Sequence, residues 1–240
     1  MPADHFHSFG NAVNKLVVTP GPHRVRRWLA LAGRRIREYW EHLAALDAVE
    51  RFHEQAILGA NCRIGSRAWC VNRGARDNIQ LGNYVVCRGL LRCENFSPGK
   101  IVIGDYVYIG DDCLLSCAER IEIGTLTLLA HGVQIFDNDS HPIDPYLRGQ
   151  DFLTILGQHK GPRNKIASKP VKIGERAWIG LYAIITKGVQ IGDGSIVAAG
   201  SVVTSDVPPL TLVAGNPARV VKELSDFSPT ITDKLLEKSK

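Results

Sequence analysis

From Ile103 onward an aliphatic residue, often followed by glycine, returns every six residues. The first run reads Ile103-Gly104, Ile109-Gly110 and Leu115-Ser116, and after a two-residue slip it resumes as Ile123-Gly124, Leu129-Ala130 and Ile135-Phe136. A second run reads Ile173-Gly174, Ile179-Gly180, Ile185-Thr186, Ile191-Gly192, Val197-Ala198 and Val203-Thr204, with outliers at Ile64-Gly65 and Leu81-Gly82. Four residues after most of these aliphatics sits another small or apolar side chain, among them Val107, Cys113, Val133, Ala177, Ala183, Val189, Ser195 and Ser201. An amphipathic strand repeats every two residues and a helix every 3.6, so neither gives this register. The pattern predicts a solenoid. A short strand points its aliphatic inward, the chain turns, and glycine is expected to permit the corner. Three such faces make a triangular coil of about eighteen residues. Each coil buries its interior only by stacking on its neighbours.

Two stretches fall outside the period. Residues 137–170 contain HPIDPYLRGQ and GPRNK and read as a long loop projecting from one corner. Loops of that length are uncommon unless they serve a function or lack order. Residues 24–56 carry Trp28, Leu29, Ala32, Ile36, Tyr39, Trp40, Leu43, Leu46, Val49 and Phe52 at helical spacing, with Gly33 as a candidate split. Arg24, Arg26, Arg27, Arg34, Arg35 and Arg37 crowd the first half of that stretch. One reading is a helical cap on the first coil with arginines on its solvated face. The other is peripheral docking to an anionic membrane surface or an acidic partner. Thr230–Lys240 reads as a short helix closing the other end. The expected organisation is therefore a helical extension over 1–56, a solenoid over 57–224 and a C-terminal cap over 225–240.

Composition narrows the partners and the compartment. The net charge of +5 is too mild by itself to argue for nucleic acid. The six cysteines form no C-x-x-C pair, and a chain of 240 residues needs no disulfide scaffold. The opening MPADHFHSFG lacks a basic segment followed by an apolar one, so no secretory signal is expected. No apolar run approaches the roughly 20 residues of a spanning helix. A reduced, cytoplasmic protein is the expectation, peripheral to the membrane's inner face if the arginine-rich helix docks there.

A six-residue repeat of this density resembles the left-handed parallel β-helix of the hexapeptide-repeat acyltransferases, over about residues 60–224. Three stretches sharpen the resemblance: YIGDDCLLSCAERIEIG (108–124), DNDSHPID (137–144), and VKIGERAWIGLYAIITKGVQIGDGSIVAAGSVVTSDVPPLTLVAGNPARVVKEL (171–224). Together they are similar to the sugar and polysaccharide O-acetyltransferase branch, which includes maltose, galactoside and nodulation acetyltransferases. The resemblance implies acetyl-CoA as donor, no metal, a saccharide or glycan precursor as acceptor, and a homotrimer with sites between neighbouring subunits.

His141 matches the family's His-Pro motif and is the expected general base, taking the proton of the acceptor as it attacks the thioester. Asp137, Asp139 and Asp144 are candidates to orient its imidazole. Glu119, Asp137 and Asp139 are candidates to hold the acceptor. The resemblance places donor contacts on Leu181, Ala199, Gly200, Thr204, Ser205, Arg219 and Lys222, the last two suited to phosphates. His131 is expected to pack at the surface or in the core. Departures from the family pattern fall on the acceptor side: Gly110, Asp111 and Asp112 stand where an acceptor-holding Asn is usual, and Lys187 stands for a frequent Pro.

Direct transfer is the expected mechanism, since no cysteine or serine lies in a nucleophile motif, although Cys113 and Cys117 precede His141 by about one coil. Three alternatives stand beside it. They are a non-catalytic scaffold, an acetyltransferase for a small amino-acid or amine acceptor, and a zinc hydratase in which His131, His141 and His159 would converge.

Overall fold

The computed structural model describes residues 23–94, 99–162 and 164–225. The expected helix at Thr230–Lys240 lies outside them. The six-residue period folds into a parallel β-solenoid of about seven turns, consistent with a left-handed β-helix. Its three flat faces are three parallel sheets. The first runs from Ile57–Leu58 to Gln190–Ile191, the second from Arg63–Ile64 to Thr211–Gly215, and the third from Trp69–Val71 to Val202–Val203. Ala218–Glu223 then folds back antiparallel on Thr211–Gly215.

Register explains why the aliphatics recur. Leu81, Ile103, Ile123, Ile173 and Ile191 stack as one inward column of the first sheet. Cys87, Ile109, Leu129, Ile179 and Val197 stack in the second. Leu91, Leu115, Ile135, Ile185 and Val203 stack in the third. All are buried. Burying each of the Val, Leu and Ile side chains among them is worth about 1.5–3 kcal/mol against leaving it in water.

The glycine after each aliphatic does a different job from the one expected. It turns no corner: Gly104, Gly124, Gly174 and Gly180 do not have positive φ. They are small because the next coil crosses them, and a Cβ on Gly180 would lie 2.6 Å from the backbone nitrogen of Ala199. The left-handed residue stands two positions later, at Tyr106, Leu126, Arg176 and Tyr182, with φ between 55° and 63°. Stacking offsets that conformation at one corner, where the rings of Tyr84 and Tyr106 lie 4.9 Å apart and nearly parallel.

The N-terminal helix, α1 (His23–Gln55), runs unbroken through Gly33, so the candidate split does not occur. The chain divides into two units between His42 and Leu43, inside this helix rather than at 56/57. Within the second unit the end of α1 carries Phe52 into the solenoid core beside Ala56. Within the first unit Trp28, Leu29, Ile36, Tyr39 and Trp40 are exposed.

The excursion at 137–170 is not all loop. It contains α2 (Pro145–Ile155), whose N-cap is Asp144. One Asp144 carboxylate oxygen accepts from the Tyr146 and Leu147 amides at 2.8 and 3.1 Å. Asp144-Pro145 is a readable helix start, an N-cap carboxylate followed by proline at the first helical position.

Candidate active site

The excursion leaves the trailing edge of the third sheet after Gln134–Phe136 and rejoins the first sheet at Val171–Ile173. Asp137 anchors its departure. Fully buried, this carboxylate accepts from the Ala118, Glu119 and Arg120 amides at 2.7–2.8 Å, from Asn138 Nδ2 at 3.0 Å and from Cys117 Sγ at 3.3 Å. Its oxygens therefore serve the protein's own donors. The two ends of the excursion are clipped together: the Lys169 amide donates to the Asp137 carbonyl, and the Asp139 amide to that of Ala167. Lys187 forms an ion pair with Asp139 Oδ1. The other Asp139 oxygen is buried without a hydrogen-bond partner.

On this clipped base sits His141, whose amide donates to the Asp139 carbonyl at 2.6 Å. Its side chain is 47% exposed, and Nδ1 lies 2.8 Å from Oδ2 of Asp151, whose side chain is 0% exposed. A carboxylate is an acceptor, so it draws the imidazole proton to Nδ1 and leaves Nε2 with a free lone pair. This is the arrangement of an oriented general base. Asp151 comes from the middle of α2. It is the orienting carboxylate in place of the three considered from sequence: Asp144 caps α2, Asp137 holds the turn at 118–120, and Asp139 pairs with Lys187. No spacing signal singles out Asp151, because its burial depends on how α2 packs. Glu119 is exposed, and its Oε2 accepts from Ser168 Oγ at 2.9 Å.

The expected donor positions divide between two corners. Leu181, Ala199 and Gly200 lie at the leading edge of the third sheet, all exposed. Thr204 and Ser205 lie at its trailing edge, the edge from which the His141 loop departs. Arg219 and Lys222 are exposed on the antiparallel Ala218–Glu223 strand. A single chain does not gather these residues into one place.

The leading corner also holds a polar cluster that sequence reasoning missed. Backbone bonds stack it coil on coil: Gly132 N to Asp111 O, Tyr182 N to His131 O, and Gly200 N to Leu181 O. The Leu181 and Ala199 row thus continues directly into His131 and Asp111. There Arg88 Nε meets Asp111 Oδ1 at 2.9 Å, and Arg67 meets Asp112 at 2.7 Å. His131 Nδ1 accepts from the Asp111 amide at 2.9 Å. These groups line a depression of about 370 Å³. The signal for it was the run Gly110-Asp111-Asp112 at an expected corner. His131 and His141 stand at opposite edges of the third sheet, and His159 Nε2 lies 2.7 Å from Gln150 Nε2, so the three histidines do not converge.

The cysteines near the loop are thiols held against ionisation. Burial pushes Cys113 up to about 11. Cys117 is raised by its hydrogen bond with Cys93, then by burial and by the Asp137 carboxylate. Neither is a ready thiolate nucleophile near neutral pH.

Comparison with known proteins agrees with this fold. Residues 170–205 match the family described as hexapeptide repeat of succinyl-transferase. The chain is 34% identical over 132 residues to the galactoside O-acetyltransferase of Escherichia coli K12, covering 55% of this chain and 58% of that one. It is 31% identical over 173 residues to the E. coli K12 protein named "Putative lipopolysaccharide biosynthesis O-acetyl transferase WbbJ", covering 70% of this chain and 82% of that one. Among solved structures it resembles a point mutant of AntD, a Bacillus cereus N-acyltransferase in complex with dTDP-4-amino-4,6-dideoxyglucose and coenzyme A. The TM-score there is 0.58 at 20% identity, over 79% of this chain and 93% of that one, a likeness of fold. The solenoid of hexapeptide coils sets the class, and the chain belongs to the hexapeptide-repeat acetyltransferase family. It spans about three fifths of the length of the galactoside enzyme and of several other curated relatives that it matches.

Proposed function

We propose that this protein is an acetyl-CoA-dependent O-acetyltransferase acting on a hydroxyl of a sugar or cell-surface glycan precursor. The observation that carries the reading is the pairing of exposed His141 with buried Asp151. Nε2 of His141 takes the proton as the acceptor oxygen attacks the thioester carbonyl. Asp151 holds the ring and stabilises the imidazolium that forms. The imidazolium then returns the proton to the departing thiolate, so one residue serves as base and acid in turn. Such a positioned base contributes about 10²–10⁴-fold to rate. Raised, buried Cys113 and Cys117 support direct transfer over an acyl-enzyme.

Glu119 is proposed to meet acceptor hydroxyls, while Asp139 holds Lys187 and Asp137 shapes the turn at 118–120. The donor's arm is proposed to follow the leading corner past Leu181, Ala199 and Gly200, where small side chains let it approach backbone groups. Thr204, Ser205, Arg219 and Lys222 are proposed to meet its remaining length and its phosphates. His141 and Leu181 belong to opposite edges of one sheet, which supports a site completed by a second copy. The second sheet offers a face for that assembly. Val86, Tyr108, Leu128, Trp178, Ile196 and Leu212 form one outward apolar column in unbroken register, with Leu128 and Trp178 exposed. A homotrimer is the proposed assembly.

The test is acetyl-CoA turnover with a panel of sugars and glycan precursors, wild type beside His141→Ala, with CoA binding measured on both. Acceptor-dependent CoA release that collapses in the variant while CoA still binds is the expected result. A wild type that neither turns over nor binds CoA would move the protein to a scaffold role.

A further inference from the structure

The part of α1 that precedes the solenoid unit carries a charge and apolar pattern that the proposed transfer reaction does not use. From His23 to Arg37 there are six arginines and no acidic residue; the first carboxylate of α1 is Glu38. At about 100° per residue, Val25, Trp28, Leu29, Ala32, Ile36 and Tyr39 fall within an arc of roughly 100°, and Trp40 widens it. Trp28 is 67% exposed and Trp40 64%, and Val25, Leu29, Ile36 and Tyr39 are each more than half exposed. Arg27, Arg34 and Arg37 project from the opposite side of the helix, and Arg35 flanks the apolar arc. Among the described residues no helix is long and apolar enough to cross a membrane.

We infer that this segment is an interfacial helix that docks the protein on an anionic lipid bilayer. Charge and shape together select that occupant. A second copy packed on the apolar arc would leave Arg27, Arg34 and Arg37 facing away from it, with no anionic partner for their charge. A bilayer accepts both halves of the pattern at once. The apolar arc enters the boundary between headgroups and acyl chains, where indole and phenol rings are favoured, and the guanidinium groups remain among lipid phosphates. The function is to hold the enzyme's site near a membrane-borne acceptor, but the docking stands whether or not the proposed transfer reaction does.

The experiment is co-sedimentation of the full-length protein with vesicles of phosphatidylcholine alone, or with about 30% phosphatidylglycerol, at low and high salt. Wild type is expected on the anionic vesicles only, and released by salt. Each arginine near the surface is worth roughly a five-fold change in partitioning, so Arg34→Glu/Arg35→Glu/Arg37→Glu should lose more than about 100-fold. A second variant keeps Trp28 as the sole tryptophan, with Trp40, Trp69 and Trp178 changed to Phe; brominated lipid should quench its fluorescence. Circular dichroism melts establish that each variant retains the solenoid. Equal binding to neutral vesicles, binding that survives the triple reversal in a folded protein, or an unquenched Trp28 would each overturn the inference. So would capture by polyglutamate with no vesicle binding, which would assign the helix to an acidic protein instead.

Discussion

Asp151 lies ten residues along the chain from the histidine it orients, and nothing in the local sequence marks it. His141 was singled out through the resemblance to the family's His-Pro motif, not through the six-residue register itself. The carboxylate beneath it was not legible, because burial is a property of how α2 packs. Asp151→Asn keeps the size but offers an amide that can hold the ring in either orientation. It should lower kcat by about 10²-fold or more and leave CoA affinity unchanged. Isothermal titration with CoA beside steady-state kinetics checks this, and unchanged kcat in a folded variant would remove Asp151 from the mechanism. A second residue-scale test concerns the post-aliphatic glycines. At Gly180 an added methyl meets the backbone of the next coil at 2.6 Å, and backbone cannot swing away as a side chain does. Gly180→Ala should therefore cost about 1–3 kcal/mol, read by denaturant melts. The glycine periodicity marked the solenoid for a reason other than corner conformation: at Gly104, Gly124, Gly174 and Gly180 a Cβ would press on the backbone of the next coil.

At the scale of elements, short strands and long helices were unequally readable. The six-residue period located the strands because every coil repeats the same inward column. The 3.6-residue period located α1 because its apolar positions recur over many turns. The shorter α2 was obscured by its setting in a Pro- and Gly-containing stretch, although Asp144-Pro145 marks its start. The element matters because its N-cap and Asp151 belong to the same helix. Asp144→Ala removes two accepted hydrogen bonds at its first turn and should destabilise α2 by about 1 kcal/mol. Hydrogen exchange should quicken in peptides covering residues 145–155, while those from the second sheet keep their protection. Turnover should fall through misplacement of Asp151, a smaller loss than in Asp151→Asn. Unchanged exchange in α2 would show that packing alone holds the helix.

For the whole molecule, the solenoid solves burial by stacking, and the same stacking fixes what the cysteines can do. Cys87 occupies an aliphatic position between Ile64 and Ile109, and Cys93 sits in register with Cys117. That arrangement agrees with reduced cysteines used as small apolar side chains. Burial, the largest cause in each case, pushes Cys70 and Cys87 up to about 12 and Cys113 up to about 11, from an ordinary 9.0. In the unfolded chain the thiols give up their protons near the ordinary value, whereas in the folded chain they keep them. Between those limits the unfolded state binds fewer protons, so stability must fall as pH rises. The contribution is complete below about pH 9 and is lost progressively as pH climbs towards 11 and 12. Replacing one of these thiols with a similar apolar side chain, as in Cys87→Val, should flatten the decline without moving the neutral-pH melting temperature far. Thermal melts from pH 7 to 11 on wild type and variant measure the difference. A parallel decline in both would mean that other groups govern alkaline unfolding and that the stacked thiols are energetically silent.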